Sequence, residues 1–92
     1  MDIMNQSIQE ILETIARHCP HAMSTFIQVI NRQDLGTVFF SKELILNDLS
    51  ESYTRFRRHI KALARENLLM WAELDGGIQI QLGPWYEDLQ EM

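Results

Sequence analysis

The sequence predicts a mainly helical α+β domain with a small β-hairpin near its end. Two apolar stripes with the helical spacing i, i+3, i+4, i+7 occupy residues 8–15 and 23–30. After Asn67 the apolar period changes from about 3.6 residues to about 2, which is typical of strands. The 92 residues suffice for one small core, so residues 1–92 are predicted to form a single domain.

The N-terminal part of the chain, residues 1–35, is predicted to form two helices. Pro20 ends the first and can begin the second, because proline is favoured in the first turn of a helix. Gly36 then breaks the helical pattern. The residues expected to face inward from these helices are Ile8, Ile11, Leu12, Ile15, Met23, Phe26, Ile27 and Ile30.

Residues 37–66 are predicted to contain a short strand and two helices. "TVFF" (Thr37–Phe40) is β-branched and aromatic, and it is too short for a helix. Ser41 and Ser52 precede the two helical segments and are candidate N-caps, since a serine hydroxyl accepts a hydrogen bond from a free backbone N–H there. Asn67 is a suitable left-handed residue to end the second helix.

Residues 68–82 are predicted to form the β-hairpin, and residues 83–92 a C-terminal tail. "DGG" (75–77) separates two alternating segments and is a strong short signal for a hairpin turn. The predicted core consists of Ile11, Ile15, Phe26, Ile30, Leu44, Phe56, Ile60, Leu63 and Ile80, with Phe39, Phe40 and Trp71 as further core aromatics.

Positive charge is concentrated on one predicted helix of a chain that is acidic overall. The formal net charge is −5. Between Tyr53 and Asn67, five basic side chains against one acidic side chain give +4, which leaves −9 for the rest of the chain. At about 100° per residue, most of the basic residues lie opposite the apolar residues of the same helix. This distribution predicts one positive surface on a dipolar molecule.

The element order and the segment "SKELILNDLSESYTRFRRHIKALARENLL" resemble a winged helix-turn-helix DNA-binding domain, as in MarR-type repressors and many small phage and plasmid regulators. The resemblance covers residues 37–82. It implies a supporting helix at Ser41–Leu49, a recognition helix at Ser52–Glu66 and a wing at residues 68–82. A recognition helix enters the major groove of double-stranded DNA. The implied function is sequence-specific DNA binding by a small transcriptional regulator.

Carried over residue by residue, the resemblance implies two kinds of contact on the recognition helix. Its early residues meet base edges, and arginine matches the two acceptors of guanine. Its later residues meet phosphates, which position the protein without reading the sequence. The base-reading residues are then Ser52, Thr54, Arg55 and Arg58, the phosphate-binding residues are Lys61 and Arg65, and Arg57 reaches either the DNA backbone or an acidic neighbour.

Two features depart from that family. The predicted wing contains no lysine or arginine, and Glu73 and Asp75 are expected to repel a phosphate backbone. The predicted turn "LSES" (49–52) lacks the glycine that is common there. A second hypothesis therefore stays open, in which the domain is a protein-interaction module, an adaptor or an antagonist, that does not bind DNA. Single-strand binding is disfavoured, because aromatic and basic residues do not interleave on one strand face.

The remaining polar residues predict neither catalysis nor a metal or cofactor site, and we expect no enzymatic activity. "HCPH" contains His18, Cys19 and His21 but lacks the paired spacing and the fourth ligand of a structural zinc site. Adjacency of a cysteine and histidines does not make a nucleophile and its base. His59, inside the basic helix, is expected to face solvent or phosphate.

A homodimer is expected, because one recognition helix reads only a half-site. In the alternative, the tail folds over its own first helix and completes the monomer core. A cytoplasmic location is expected, since there is a single cysteine, no apolar run of about 20 residues and no signal-like start. The expected dimer interface consists of apolar residues beyond the core, Met4, Ile8, Leu12, Trp85, Leu89 and Met92.

Overall fold

The computed structural model describes the backbone of residues 3–83 and the side chains of residues 9–83. In this part of the chain, helices and an antiparallel sheet follow one another in the predicted order, so the α+β class is confirmed. The elements are α1 (Ile3–His18), a 3₁₀ turn (Pro20–Ala22), α2 (Met23–Arg32), β1 (Thr37–Ser41), α3 (Lys42–Asn47), α4 (Tyr53–Arg65), β2 (Leu69–Leu74) and β3 (Gly77–Leu82).

The three strands form one antiparallel sheet in the order β1-β3-β2, so the predicted short strand joins the predicted hairpin. The central strand β3 pairs Ile80 with Val38 of β1 and with Trp71 of β2. Ile78, Ile80 and Leu82 are buried, whereas the glutamines between them are exposed. The alternation predicted for β3 therefore gives the sheet one apolar inner face.

The core is one buried cluster shared by the helices and the inner face of the sheet. Most of the residues predicted for it are buried, while Ile30 and Leu44 are half-buried against its edge. Phe40 is buried as predicted, but Phe39 is 45% exposed, so its assignment to the core is wrong. Neighbouring residues of a strand point to opposite faces, and Phe39 shares the outer face of the sheet with its partner Gln79.

The inward face of α2 differs from the prediction at three residues. The predicted stripe includes Ile27, whereas the structure buries Thr25 and Val29 and leaves Ile27 46% exposed. The cause is a polar residue in an inward position, since Oγ1 of Thr25 is hydrogen-bonded to Nδ1 of His59 at 2.8 Å. A hydroxyl with a partner can be buried at small cost, so apolar spacing alone misplaces this face.

The predicted caps of α3 and α4 are confirmed, whereas two other helix ends differ from the prediction. α3 ends at Asn47 instead of Leu49, and Pro20 begins a 3₁₀ turn, after which α2 starts at Met23. Oγ of Ser41 accepts from the backbone N–H of Leu44 at 3.0 Å, and Oγ of Ser52 accepts from that of Arg55 at 3.1 Å. Asn67 has a φ of 62°, the left-handed conformation predicted for the end of α4. Ser41 is also the last residue of β1, so one residue ends the strand and caps the next helix.

Two more residues have a left-handed backbone that the sequence did not predict. Leu35 has a φ of 57° and is 91% exposed, in a turn where Asp34 and Thr37 exchange two backbone hydrogen bonds. Ser50 has a φ of 54° in the connection between α3 and α4. Glycine adopts this conformation most readily, so a serine here takes the place of the glycine that "LSES" lacks.

Candidate functional site

α4 has a buried face and an exposed face, divided as the sequence predicted. Its N-terminus is fixed by the Ser52 cap, which places the first turn at Tyr53. Phe56, Ile60 and Leu63 are fully buried against the core. The exposed side carries Thr54, Arg58, Lys61 and Arg65.

A groove of about 590 Å³ follows the exposed face of α4. Some of its lining residues come from successive turns of α4 and from its C-cap, and the others come from the end of α1 and the 3₁₀ turn that follows. Four cationic side chains line it against one carboxylate, so it attracts anionic ligands. We call it the α4 groove, and its lining residues are His18, Cys19, His21, Thr54, Arg57, Arg58, Lys61, Ala62, Arg65 and Glu66.

Two of the residues that the resemblance assigns to DNA lie outside this groove. Ser52 is exposed, and its hydroxyl is engaged in capping α4. Nε of Arg55 lies 4.0 Å from Oε1 of Glu51, and the arginine side chain is largely exposed. The two residues therefore form a weak ion pair at the surface. The assigned residues that the structure brings together are Thr54, Arg57, Arg58, Lys61 and Arg65.

Arg57 lies at the edge of the α4 groove and is held by the hairpin. Its Nε donates to Oε1 of Glu73 at 3.0 Å. Its guanidinium carbon lies 5.5 Å from the centre of the Trp71 ring, within range of a cation–π contact. Of the two partners left open for Arg57, the structure therefore shows the acidic neighbour, and this pair links α4 to β2.

Glu73 has a second partner on α4. Oη of Tyr53 donates to Oε2 of Glu73 at 2.6 Å. The hydrogen bond from Tyr53, together with that from Arg57, lowers the pKa of Glu73 below its ordinary value, so the carboxylate is ionised at neutral pH. Because Arg57 compensates this charge, the repulsion of phosphate expected from Glu73 is reduced. Asp75, at the hairpin turn, is exposed.

His59 is half-buried, and the expectation that it faces solvent or phosphate is wrong. Its Nδ1 is hydrogen-bonded to Thr25, and its ring centre lies 5.4 Å from that of His21. Burial is the main cause that lowers the pKa of His59, and the positive charges of Arg55 and Arg58 act in the same direction. The imidazole is therefore neutral at pH 7 and belongs to the packing between α4 and α2.

The "HCPH" segment lines the α4 groove, although the spacing of its residues does not assign it to the site. Nδ1 of His18 lies 3.2 Å from Oε1 of Glu66. Cys19 is buried, and burial followed by the charge of Glu66 raises the pKa of its thiol, which makes it a poor nucleophile. Within the described residues, no three histidine, cysteine, aspartate or glutamate side chains are placed to hold a metal ion. Proximity of this segment to α4 depends on long-range packing, which local spacing does not reveal.

The remaining cations of the groove keep their charge available. Among the described residues, no carboxylate lies within ion-pairing distance of Arg58, Lys61 or Arg65. Their field therefore extends into the groove instead of being cancelled inside the protein. Chemically, the site offers fixed positive charges at helical spacing, which can hold a chain of negative groups.

The predicted dimer interface falls mostly outside the described side chains. Leu12, on α1, lies within them and is 36% exposed. Both the dimer and its alternative, a tail folded over the first helix, stay predictions. The residues that lie outside the described side chains are Met4, Ile8, Trp85, Leu89 and Met92.

Comparison of the chain with protein-family models, with curated proteins and with solved structures finds no match. In the part of the chain that the structure describes, none of the helices is long and apolar enough to span a membrane. What the α4 groove binds is therefore inferred from its own geometry and charge.

Proposed function

We propose that this chain is a winged helix-turn-helix protein that binds double-stranded DNA in a sequence-specific manner, as a small transcriptional regulator. The observation that carries the proposal is the exposed face of α4, where Arg58, Lys61 and Arg65 have no carboxylate partner among the described residues. Phosphate groups are the natural counterparts of such a row, because DNA carries one negative charge per about 1.7 Å of its axis.

The dimensions of α4 suit a double helix. A helix with its side chains is about 10–12 Å across, and the major groove is about 12 Å wide. In the proposed complex, Thr54 and Arg58, in the first turns of α4, meet base edges, where an arginine fork matches guanine. Lys61 and Arg65, further along the same face, meet phosphates.

The arrangement around α4 supports the winged helix-turn-helix assignment. α3 and α4 pack together across a short connection in which Ser50 has a left-handed backbone. β1 leads into α3 and contacts it, and β2 contacts α4, so the sheet lies next to both helices. The hairpin takes the place of a wing, and the contact between Arg57 and Glu73 ties it to the proposed recognition helix.

A second function is favoured by a different surface. The outer face of the sheet exposes Phe39, Met70 and Leu74, and these apolar side chains are available to a protein partner. An adaptor or antagonist that uses this face has no need of the cations of α4. The two functions therefore depend on different residues and can be separated by substitution.

Fluorescence anisotropy of labelled duplex DNA, titrated at several salt concentrations, tests the DNA proposal. The affinity of the parent protein should fall with salt, with a log–log slope of about −0.9 for each phosphate contact. The Lys61→Ala/Arg65→Ala variant should weaken binding to every duplex and make the slope less negative by about 1.8. Arg32→Ala, which removes an exposed cation at the end of α2 outside the groove, is the matched control.

Recognition of the DNA sequence by α4 is tested by selecting binding sites from a pool of randomised duplexes. Arg58→Ala should reduce discrimination between selected and unselected sites by about 1–3 kcal/mol while changing non-specific binding little. If the Lys61/Arg65 variant and Arg32→Ala gave the same duplex affinity and slope, α4 would not be the DNA contact. The sheet-face function would then replace the DNA proposal.

A homodimer with two-fold symmetry is part of the proposal. A half-site alone seldom gives enough specificity against a genome of competing sites, and a dimer presents two helices about 34 Å apart. Sedimentation equilibrium at tens of micromolar protein should therefore show a dimer. A monomer that binds a palindromic site as a single copy would contradict this part.

A further inference from the structure

Two of the three histidines of the chain line the α4 groove. His18 and His21 belong neither to α4 nor to the hairpin, since they stand at the end of α1 and in the 3₁₀ turn. Both are exposed, unlike His59, which is half-buried and has its ring centre 5.4 Å from that of His21. They are therefore two titratable groups that share a groove with the cations of α4.

The position of this segment relative to α4 is set by helical geometry. At about 100° per residue, Glu66 and Arg57 are about 180° apart around the helix axis. Arg57 contacts the hairpin on one flank, through Glu73, and Glu66 contacts His18 on the other. The hairpin and the histidine segment thus flank the exposed face of α4 on opposite sides.

A helix that lies in the major groove fills most of its width, so elements on either flank meet the phosphates that border the groove. On the hairpin flank the available charge is already paired, because Arg57 is bound to Glu73. On the other flank two imidazoles are exposed. Protonated imidazoles carry the charge and the N–H donors that a phosphate oxygen accepts.

We propose that His18 and His21 contact the phosphates of one DNA strand, on the flank of α4 opposite the hairpin, when their imidazoles are protonated. This inference depends on the proposed function, since it places the DNA in the α4 groove. The groups that face these histidines are Glu66 on His18, His59 on His21, and the groove cations, with Cys19 between the two histidines. The groove cations are Arg57, which is paired with Glu73, and Arg58, Lys61 and Arg65.

Glu66 has a defined part in this arrangement. It is the one carboxylate among the described residues that line the groove, and its Oε1 lies 3.2 Å from Nδ1 of His18. When the imidazole of His18 is neutral, Glu66 leaves a negative charge on the phosphate-facing flank. With an imidazolium its charge is compensated, so protonation of His18 both removes a repulsion and adds a donor.

The consequence is a duplex affinity that depends on pH as well as on salt. Histidine is the side chain that ordinarily changes charge between about pH 5 and pH 8. Each additional phosphate that a protonated imidazole neutralises should make the log–log salt slope more negative by about 0.9. Two contacts therefore predict a slope about 1.8 more negative in acid than in mild alkali.

The test measures salt slopes by anisotropy at about pH 8 and about pH 5.5, where histidine changes charge while ordinary carboxylates stay ionised. The parent should show the steeper slope and tighter binding at the lower pH. His18→Gln/His21→Gln should lose the pH-dependent change of slope, so that its salt slopes at the two pH values are equal. His18→Arg/His21→Arg should show the steep slope at both values, because arginine stays charged throughout.

Circular dichroism at both pH values confirms that each variant is folded during the titration. The inference is overturned if the glutamine variant keeps the pH-dependent slope of the parent, or if the arginine variant gains no affinity at the higher pH. That failure differs from failure of the proposed function, in which Lys61→Ala/Arg65→Ala leaves duplex affinity unchanged at both pH values.

Discussion

The two faces of α4 belong to the same 13 residues but are determined by different forces. On the buried face, Phe56, Ile60 and Leu63 are removed from water, and this burial decides how the helix docks. On the exposed face, Arg58 and Lys61 contribute nothing to the core. Charges that folding does not require are available to bind a partner. The proposed function is therefore argued from the exposed face alone.

The borders between the two faces differ as well. One border is joined to the hairpin by polar contacts of Tyr53 and Arg57 with Glu73. The other border is joined to α2 by the hydrogen bond between His59 and Thr25. Polar residues thus hold α4 on both sides of its apolar stripe. The orientation of α4 about its own axis is therefore determined by these hydrogen bonds as well as by hydrophobic burial.

The largest expected effect separates the two faces directly. Phe56→Ala should lower the free energy of unfolding by about 3–5 kcal/mol, because it leaves a cavity where the ring of Phe56 now lies 5.0 Å from that of Phe40. Arg58→Ala should change it by no more than about 0.5 kcal/mol. Urea unfolding of both variants measures the difference. Similar values for the two would mean that α4 docks with another face inward.

A smaller effect is expected at the start of the helix, which both faces share. Ser52→Ala removes the hydroxyl that accepts from the N–H of Arg55, and should cost about 1 kcal/mol. Ser24→Ala, in the first turn of α2, is the matched control, since Ser24 is exposed and does not cap its helix. The comparison uses the difference in unfolding free energy between the two alanine variants. Equal stabilities would show that the Ser52 cap does not hold in solution.

Local signals predicted α4 well because several of them agree there. Its apolar stripe, its serine cap and Asn67 at its end all depend on residues within a few positions of one another. The same holds for the alternation of β3. In each of these cases the sequence contains the information within one element, so the fold class and the exposed basic face could be predicted.

What could not be predicted depends on contacts between distant residues or on backbone strain. Thr25 is buried because His59, 34 positions later, offers it a partner. The charge of Glu73 is compensated by Arg57, 16 positions earlier, so the sequence alone overestimates how strongly Glu73 repels phosphate. Leu35 has a left-handed backbone that its residue type disfavours. The contribution of the "HCPH" segment to the α4 groove is of the same kind, since tertiary packing alone brings it there.

The smallest expected effect concerns His59, at the border of the two faces of α4. Its pKa is lowered in the folded protein, mainly by burial, so the unfolded chain binds a proton at a higher pH than the folded chain does. Above the ordinary histidine pKa of about 6.5, both states are neutral and the contribution of His59 to stability is fully present. As the pH falls below that value, the unfolded state gains a proton first, and this contribution decreases until the folded state is protonated as well.

The His59→Gln variant isolates this contribution, because it keeps a polar side chain next to Thr25 without a titrating group. Urea unfolding from about pH 8 to about pH 5 measures the free energy of unfolding of both proteins. The stability of the parent relative to the variant should decrease as the pH decreases. Carboxylates and the other histidines act on both proteins alike, so they cancel in the difference. A difference that stays constant over this range would mean that His59 titrates equally in the folded and unfolded chains. The border of α4 would then be as open to water as its exposed face.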